Sequence, residues 1–160
     1  MNNFKRRDFL KSSTLFAGAT LISPTLLSCQ NPNSKLNIAV IGVGGRGRAN
    51  WNPVLPTEDL TGENIVAMCD VDDIRAKDGY EKIKSQFPNV KKFTDFRVMY
   101  DKMHKEIDAV IISTPDHTHF APAMIAMELG KHVYMEKPLA HTVWECRTLK
   151  KAAKSYNIVS

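Results

Sequence analysis

The 160-residue sequence predicts an α/β fold, a parallel sheet covered by helices on both faces. Three observations carry this. From residue 36 onward, short apolar runs alternate with helix-like segments. The first run leads directly into a Gly-x-Gly-x-x-Gly sequence. The segments with unusual chemistry all follow apolar runs, and right-handed crossovers bring the C-terminal ends of parallel strands to one edge.

Taken in order, residues 1–29 read as an export leader. Arg6-Arg7-Asp8-Phe9-Leu10-Lys11 is a twin-arginine pattern, and an apolar run from Leu15 to Leu27 follows it, interrupted by Gly18, Ser23 and Pro24. That run is too short and too broken to serve as a stable mature span. Leu26-Leu27-Ser28-Cys29 is similar to a bacterial lipoprotein box, so acylation of Cys29 and a simple cut near Ser28 both stay open. The expected location is outside the cytoplasm, periplasmic or lipid-anchored in the envelope. Cys29 would be the sole route to a membrane. Residues 30–35 are polar and turn-prone, a linker.

Residues 36–160 carry the fold. Leu36–Ile41 is the first strand, and a helix opens at Arg46 until Pro53 and Pro56 interrupt it, since proline lacks a donor and crowds the preceding turn. Residues 53–63 form an irregular excursion. Ile65–Cys69 is the second strand, Asp72–Phe87 a helix stopped by Pro88, and Val90–Phe93 a short third strand. Asp95–His104 places Phe96, Met99, Tyr100 and Met103 at helical spacing, a core-facing stripe. Ile107–Ile112 is a continuous apolar run, as expected of a strand buried on both faces. Phe120–Leu129 is a helix with Pro122 in its first turn and Gly130 as its stop. His132–Met135 is the fifth strand. Thr142-Val143-Trp144-Glu145 is a capping box opening a helix to about Tyr156, and Ile158–Ser160 reads as the start of a sixth strand.

The composition is ordinary for a globular domain: 43% apolar and 24% charged residues. The formal charge is +5, but the first 28 residues contribute +3 of it. The +2 left on the body leaves no basic footprint for nucleic acid. Cys69 and Cys146 fall in strand-like and helix-like runs without Cys-x-x-Cys spacing, so they read as buried thiols.

The chemistry starts at Gly42-Val43-Gly44-Gly45-Arg46-Gly47. Placed between a strand and a helix, it reads as the phosphate-binding turn of a Rossmann-type dinucleotide domain. Gly42 permits the tight turn, Gly44 a close approach to pyrophosphate, and Gly47 close helix–strand packing. Amides at the helix start, with the dipole behind them, favour phosphate. Asp70 ends the second strand, 28 residues after Gly42, against a usual spacing of about 20; the excursion absorbs the difference. A carboxylate there accepts from the adenosine ribose and repels a 2′-phosphate, which favours NAD over NADP. Ser113, Thr114, Pro115 and His119 form a loop at the same edge, joined by Glu136-Lys137-Pro138. Lys137, just past a buried strand, is the catalytic candidate: it can hydrogen-bond a substrate hydroxyl and help move its proton. His117 and His119 lack a third ligand at metal spacing, so the loop reads as lining or bracing a nicotinamide pocket and no metal is expected. His132 and His141 read as structural.

The ordered set Gly-Val-Gly-Gly-Arg-Gly, Cys-Asp-Val-Asp, Ser-Thr-Pro-Asp-His-Thr-His and Gly-Lys-His-Val-Tyr-Met-Glu-Lys-Pro-Leu resembles the Gfo/Idh/MocA oxidoreductases over about residues 36–160. The resemblance implies an NAD(P)-binding domain followed by a larger α/β domain with an open sheet, in a protein expected to be a homo-oligomer. It implies sugar or polyol substrates, and a role for Lys137 in positioning and deprotonating the reacting hydroxyl. It also places His119 as the histidine that closes the Thr-Pro loop, among the cofactor-binding residues with Glu136. The second α/β domain, which would supply substrate contacts, is absent from this sequence, so the chain reads as a fragment cut at the sixth strand, with completion by a partner as the alternative. Two further readings are an NAD-dependent glycosidase of the related type and a non-catalytic dinucleotide-binding remnant.

Overall fold

The structure, a computed structural model, describes residues 35–58 and 60–160. The twin-arginine pattern, Cys29 and residues 30–34 of the linker lie outside the described residues. Five parallel strands form one sheet in the order β3-β2-β1-β4-β5: β1 (Asn37–Ile41), β2 (Asn64–Cys69), β3 (Lys91–Phe93), β4 (Ala109–Ile112) and β5 (His132–Met135). The helices are α1 (Gly47–Trp51), α2 (Asp73–Gln86), α3 (Phe96–Met103), α4 (Phe120–Glu128) and α5 (Val143–Ser155). The chain steps outward from β1 to β3, then crosses back to β4 on the other side of β1. That reversal opens a crevice beyond the ends of β1 and β4.

Strict alternation along β1 feeds two cores. Ala39 and Ile41 face α3, α4 and α5 together with Val110, Ile112, Met99, Ala126 and Leu149. Ile38 and Val40 face α1 and α2 with Met68, Trp51, Tyr80 and Ile83. Burial on both faces explains the near-continuous apolar strands. Each fully buried large side chain contributes roughly 1.5–3 kcal/mol. Trp51 does more than fill space: it is fully buried, and its indole N–H donates to the Val43 carbonyl at 2.9 Å, fixing α1 to the glycine turn.

The structure refines the element boundaries at three places. Proline at position 53 ends α1 after five residues, and a 3-10 turn over Asn52–Val54 follows. In β2 the register slips: Ile38 pairs with Ile65 but Ala39 with Ala67, so Val66 is the extra residue of a bulge. Ile158–Ser160 adds no strand. Val133 N–H donates to the Val159 carbonyl at 3.1 Å, but the Val159 N–H turns to the His132 ring instead of continuing a ladder.

Candidate functional site

The glycine turn is shaped by what surrounds it. Gly42 has φ 85°, and a Cβ there would lie 2.7 Å from the Ser113 carbonyl. A Cβ on Gly47 would fall inside the Gly42 carbonyl oxygen, so the close helix–strand approach is real. The missing Cβ of Gly44 also makes room for the Arg75 carbonyl, 2.7 Å away, at the start of α2. Gly45 has φ 53°, and a Cβ there would meet only the end of the Arg75 side chain, 3.8 Å away.

Asp70 organises this turn. Its Oδ2 accepts the N–H groups of Val43 at 2.8 Å and Gly44 at 3.0 Å, and its Oδ1 accepts from Asp72 N–H at 3.0 Å. Val43 is itself fully buried, so it supports the turn from below. The amides of Gly45 and Arg46 have no acceptor among the described residues, and they stand at the exposed tip. With only five residues, α1 supplies little dipole. The groups that the turn offers to an anion are those two amides and the Arg46 guanidinium.

Glu136 is built into a bracket. Its Oε2 accepts from Arg46 Nε at 2.8 Å and from Asn50 Nδ2 at 2.9 Å, while Oε1 accepts from the Lys137 N–H at 3.1 Å. Asn50 Nδ2 also donates to Ser113 Oγ at 2.8 Å. These bonds, the Asn50 one first and that from Arg46 next, hold the Glu136 carboxyl at about 2, against an ordinary 4.5. Asn50 was not marked by sequence reasoning. The available signal was its position four residues after Arg46, on the same helix face.

His119 braces the wall from behind. Only 1% exposed, it sets Nδ1 2.9 Å from the Pro138 carbonyl and Nε2 2.7 Å from the Thr114 carbonyl, joining the loops after β4 and β5. His117 is exposed beside Asp116, its Nδ1 3.5 Å from Oδ1, while His141 Nδ1 lies 3.8 Å from Oδ2. The backbone N–H of His117 is the main cause that lowers the Asp116 carboxyl below its usual range.

Two adjoining hollows line the sheet edge and share Arg46, Ser113, Thr114 and Pro115. One, about 440 Å³, runs to Asp70, Asp72 and Arg75. The other, about 480 Å³, runs to Asp116, Glu136, Lys137 and Pro138. Each falls in the range of ligand pockets, about 300–1,000 Å³. A dinucleotide fits the groove's chemistry. The turn offers two free amides midway along it, and Thr114 Oγ1 is buried with no hydrogen-bond partner among the described residues. Asp70 and Asp72 stand at one end, and at the other Lys137, whose ammonium has no partner among the described residues. Among the described residues no cluster of three or more His, Cys, Asp or Glu side chains is arranged to hold a metal.

Comparison with known proteins agrees with this geometry. Residues 36–160 match the family model of the Gfo/Idh/MocA oxidoreductases, described as an oxidoreductase family with an NAD-binding Rossmann fold. A glycosyl hydrolase family 109 protein of Shewanella pealeana is 33% identical over 162 residues, covering 88% of this chain and 35% of the relative. An alpha-N-acetylgalactosaminidase of Shewanella oneidensis is 31% identical, covering 91% and 36%. Among solved structures, a myo-inositol 2-dehydrogenase from Lactobacillus plantarum superposes with a TM-score of 0.63 at 28% identity, covering 77% of this chain and 34% of that one. The chain thus spans about a third of the length of the curated relatives it matches. It belongs to the Gfo/Idh/MocA oxidoreductase family, and its residues 36–160 are the NAD-binding Rossmann domain.

Proposed function

We propose that this domain is the cofactor half of a larger protein that removes or returns a hydride at a sugar or polyol carbinol carbon. The observation that carries the reading is the continuous groove from Asp70, past the free amides of Gly45 and Arg46, to Lys137. NAD in this groove would supply the hydride acceptor. Asp70 and Asp72 face the adenosine end. Asp70 already accepts three backbone N–H groups, but a carboxylate offers about four acceptor sites, so a ribose hydroxyl can still bind. Two carboxylates there favour NAD over NADP. At the other end Lys137 hydrogen-bonds the reacting hydroxyl and relays its proton, while Glu136 is occupied holding the loop. Calorimetry with NAD and with NADP tests the first half: the expected result is tighter NAD binding, and a folded sample that binds neither ends the assignment.

A second reading draws on the relatives called glycosyl hydrolase family 109 protein and alpha-N-acetylgalactosaminidase. There the same hydride removal would be transient, and the sugar bond would break with no net oxidation. One experiment on the whole protein separates the two. With polyols and with an aryl α-N-acetylgalactosaminide, lasting reduced-nicotinamide absorbance means a dehydrogenase; release of the aryl alcohol without it means a glycosidase. The lysine of Glu136-Lys137-Pro138 favours the dehydrogenase. Export by the twin-arginine route belongs to the same proposal, supported by Arg6-Arg7 and the apolar run after them. Mass spectrometry of the mature N-terminus would show whether Cys29 is cut away or acylated.

A further inference from the structure

A single nitrogen joins three segments of the site. Asn50 Nδ2 on α1 lies 2.8 Å from Ser113 Oγ, in the loop after β4, and 2.9 Å from Glu136 Oε2, in the loop after β5. A carboxamide nitrogen carries two N–H groups, and here each has an acceptor. Glu136 then passes the restraint on, because its Oε1 takes the Lys137 N–H at 3.1 Å. Among the described residues the Lys137 ammonium has no hydrogen bond or ion pair of its own, so its backbone sets where it stands.

Arg46 shares Glu136 but cannot hold it equally well. Its side chain is 67% exposed, and ion pairs to exposed groups contribute little once water competes. The Glu136 side chain is only 11% exposed, and the Asn50 contact is the leading cause of its lowered carboxyl pKa. Asn50 is not needed to seat α1, which is anchored by the buried Trp51 and by the Gly47–Gly42 contact.

We propose that Asn50 is a positioning residue: through Glu136 it fixes the Lys137 backbone, so that one carboxamide sets the spacing between the glycine-turn helix and the proton-moving lysine. This rests on the reading of Lys137 given above, and the test is arranged so that the two can fail separately. Amide exchange is followed by NMR on the full chain. Asn50→Asp keeps the shape but turns donors into acceptors opposite Glu136. The Lys137 N–H should then exchange faster by on the order of tenfold or more, as expected for loss of a hydrogen bond to a charged group. The Trp51 indole N–H should stay protected. Asn50→Asp combined with Glu136→Gln reverses the polarity of the pair and should restore protection at Lys137.

In the whole protein, once a substrate has been found by the assay above, kcat should fall and recover in the same order. Wild-type protection of Lys137 in Asn50→Asp, no recovery in the double variant, or equal loss at Trp51 would each overturn the proposal. If Asn50→Asp does not fold, Asn50→Ala must show the same change confined to Lys137, and its absence counts against the proposal equally. Lys137→Ala with undiminished turnover overturns the role of the lysine, while the exchange result still decides whether Asn50 holds its backbone.

Discussion

Single residues in this domain differ sharply in what they tolerate. At Gly47 a methyl group would collide with the Gly42 backbone, which cannot move without shifting β1. Gly47→Ala should therefore destabilise by about 3 kcal/mol, the upper end for overpacking, measured by urea titration. Gly45 has its nearest neighbour 3.8 Å away, so Gly45→Ala meets only the cost of a left-handed backbone, roughly 1–2 kcal/mol. Its new methyl group would stand beside the free turn amides, and dinucleotide affinity should drop more than stability. The described cysteines differ as well. Burial pushes the Cys69 thiol up to about 12, whereas Cys146 is partly exposed. A thiol reagent should label Cys146 in the folded domain and Cys69 only after denaturation; equal rates would contradict this. The glycine spacing and the two loops were legible as residues, because glycine and proline mark backbone shape directly. The inward-turned members were not. His119 reads in sequence as lining or bracing the pocket, and only the structure shows both its nitrogens meeting carbonyls behind the cavity wall. No rule of spacing pairs Asn50 with residues 63 and 86 positions away.

Elements were read well where a local signal defines them. Thr142 caps α5 by accepting from the Glu145 N–H, and Glu145 reaches back, as the Thr-x-x-Glu pattern requires. Asp72 caps α2 in the same way, accepting from Ile74 and Arg75. Either capping residue replaced by alanine should cost about 1 kcal/mol in thermal or urea unfolding. The effect at Thr142 should also loosen the segment that leads from Lys137 into α5, which amide exchange would register. What stayed hidden was long-range. The β2 bulge at Val66 lies in an unbroken apolar run, and nothing in Asn64–Cys69 distinguishes five paired residues from six. The three-residue tail Ile158–Ser160 has strand composition, but one backbone bond to Val133 does not make a ladder. Composition reports which residues favour a strand; the neighbouring strand decides whether they pair.

At the scale of the whole molecule, its acid response follows from where the lowered carboxyls sit. Glu136, held at about 2, and Asp116, held below its ordinary value, both lie on the groove side that carries Lys137. A carboxyl lowered on folding stabilises the fold above its unfolded value. That contribution fades as pH falls from 4.5 towards about 2 for Glu136. The two cores hold no comparable group, since His119 is the one buried polar or charged residue among those described. Acid should therefore part the loops after β4 and β5 before it unfolds the sheet. NAD affinity should decline as pH falls below about 3 towards 2, where the folded bracket titrates, while far-ultraviolet circular dichroism holds its neutral-pH value, because the strand ladders do not titrate. Calorimetry and dichroism on the same samples check this, with Glu136→Gln as control. That variant cannot titrate at 136, so its affinity should start lower and change less across the same interval. A wild-type affinity that falls only together with the dichroism would place the acid-sensitive step in the sheet and not in the bracket at its edge.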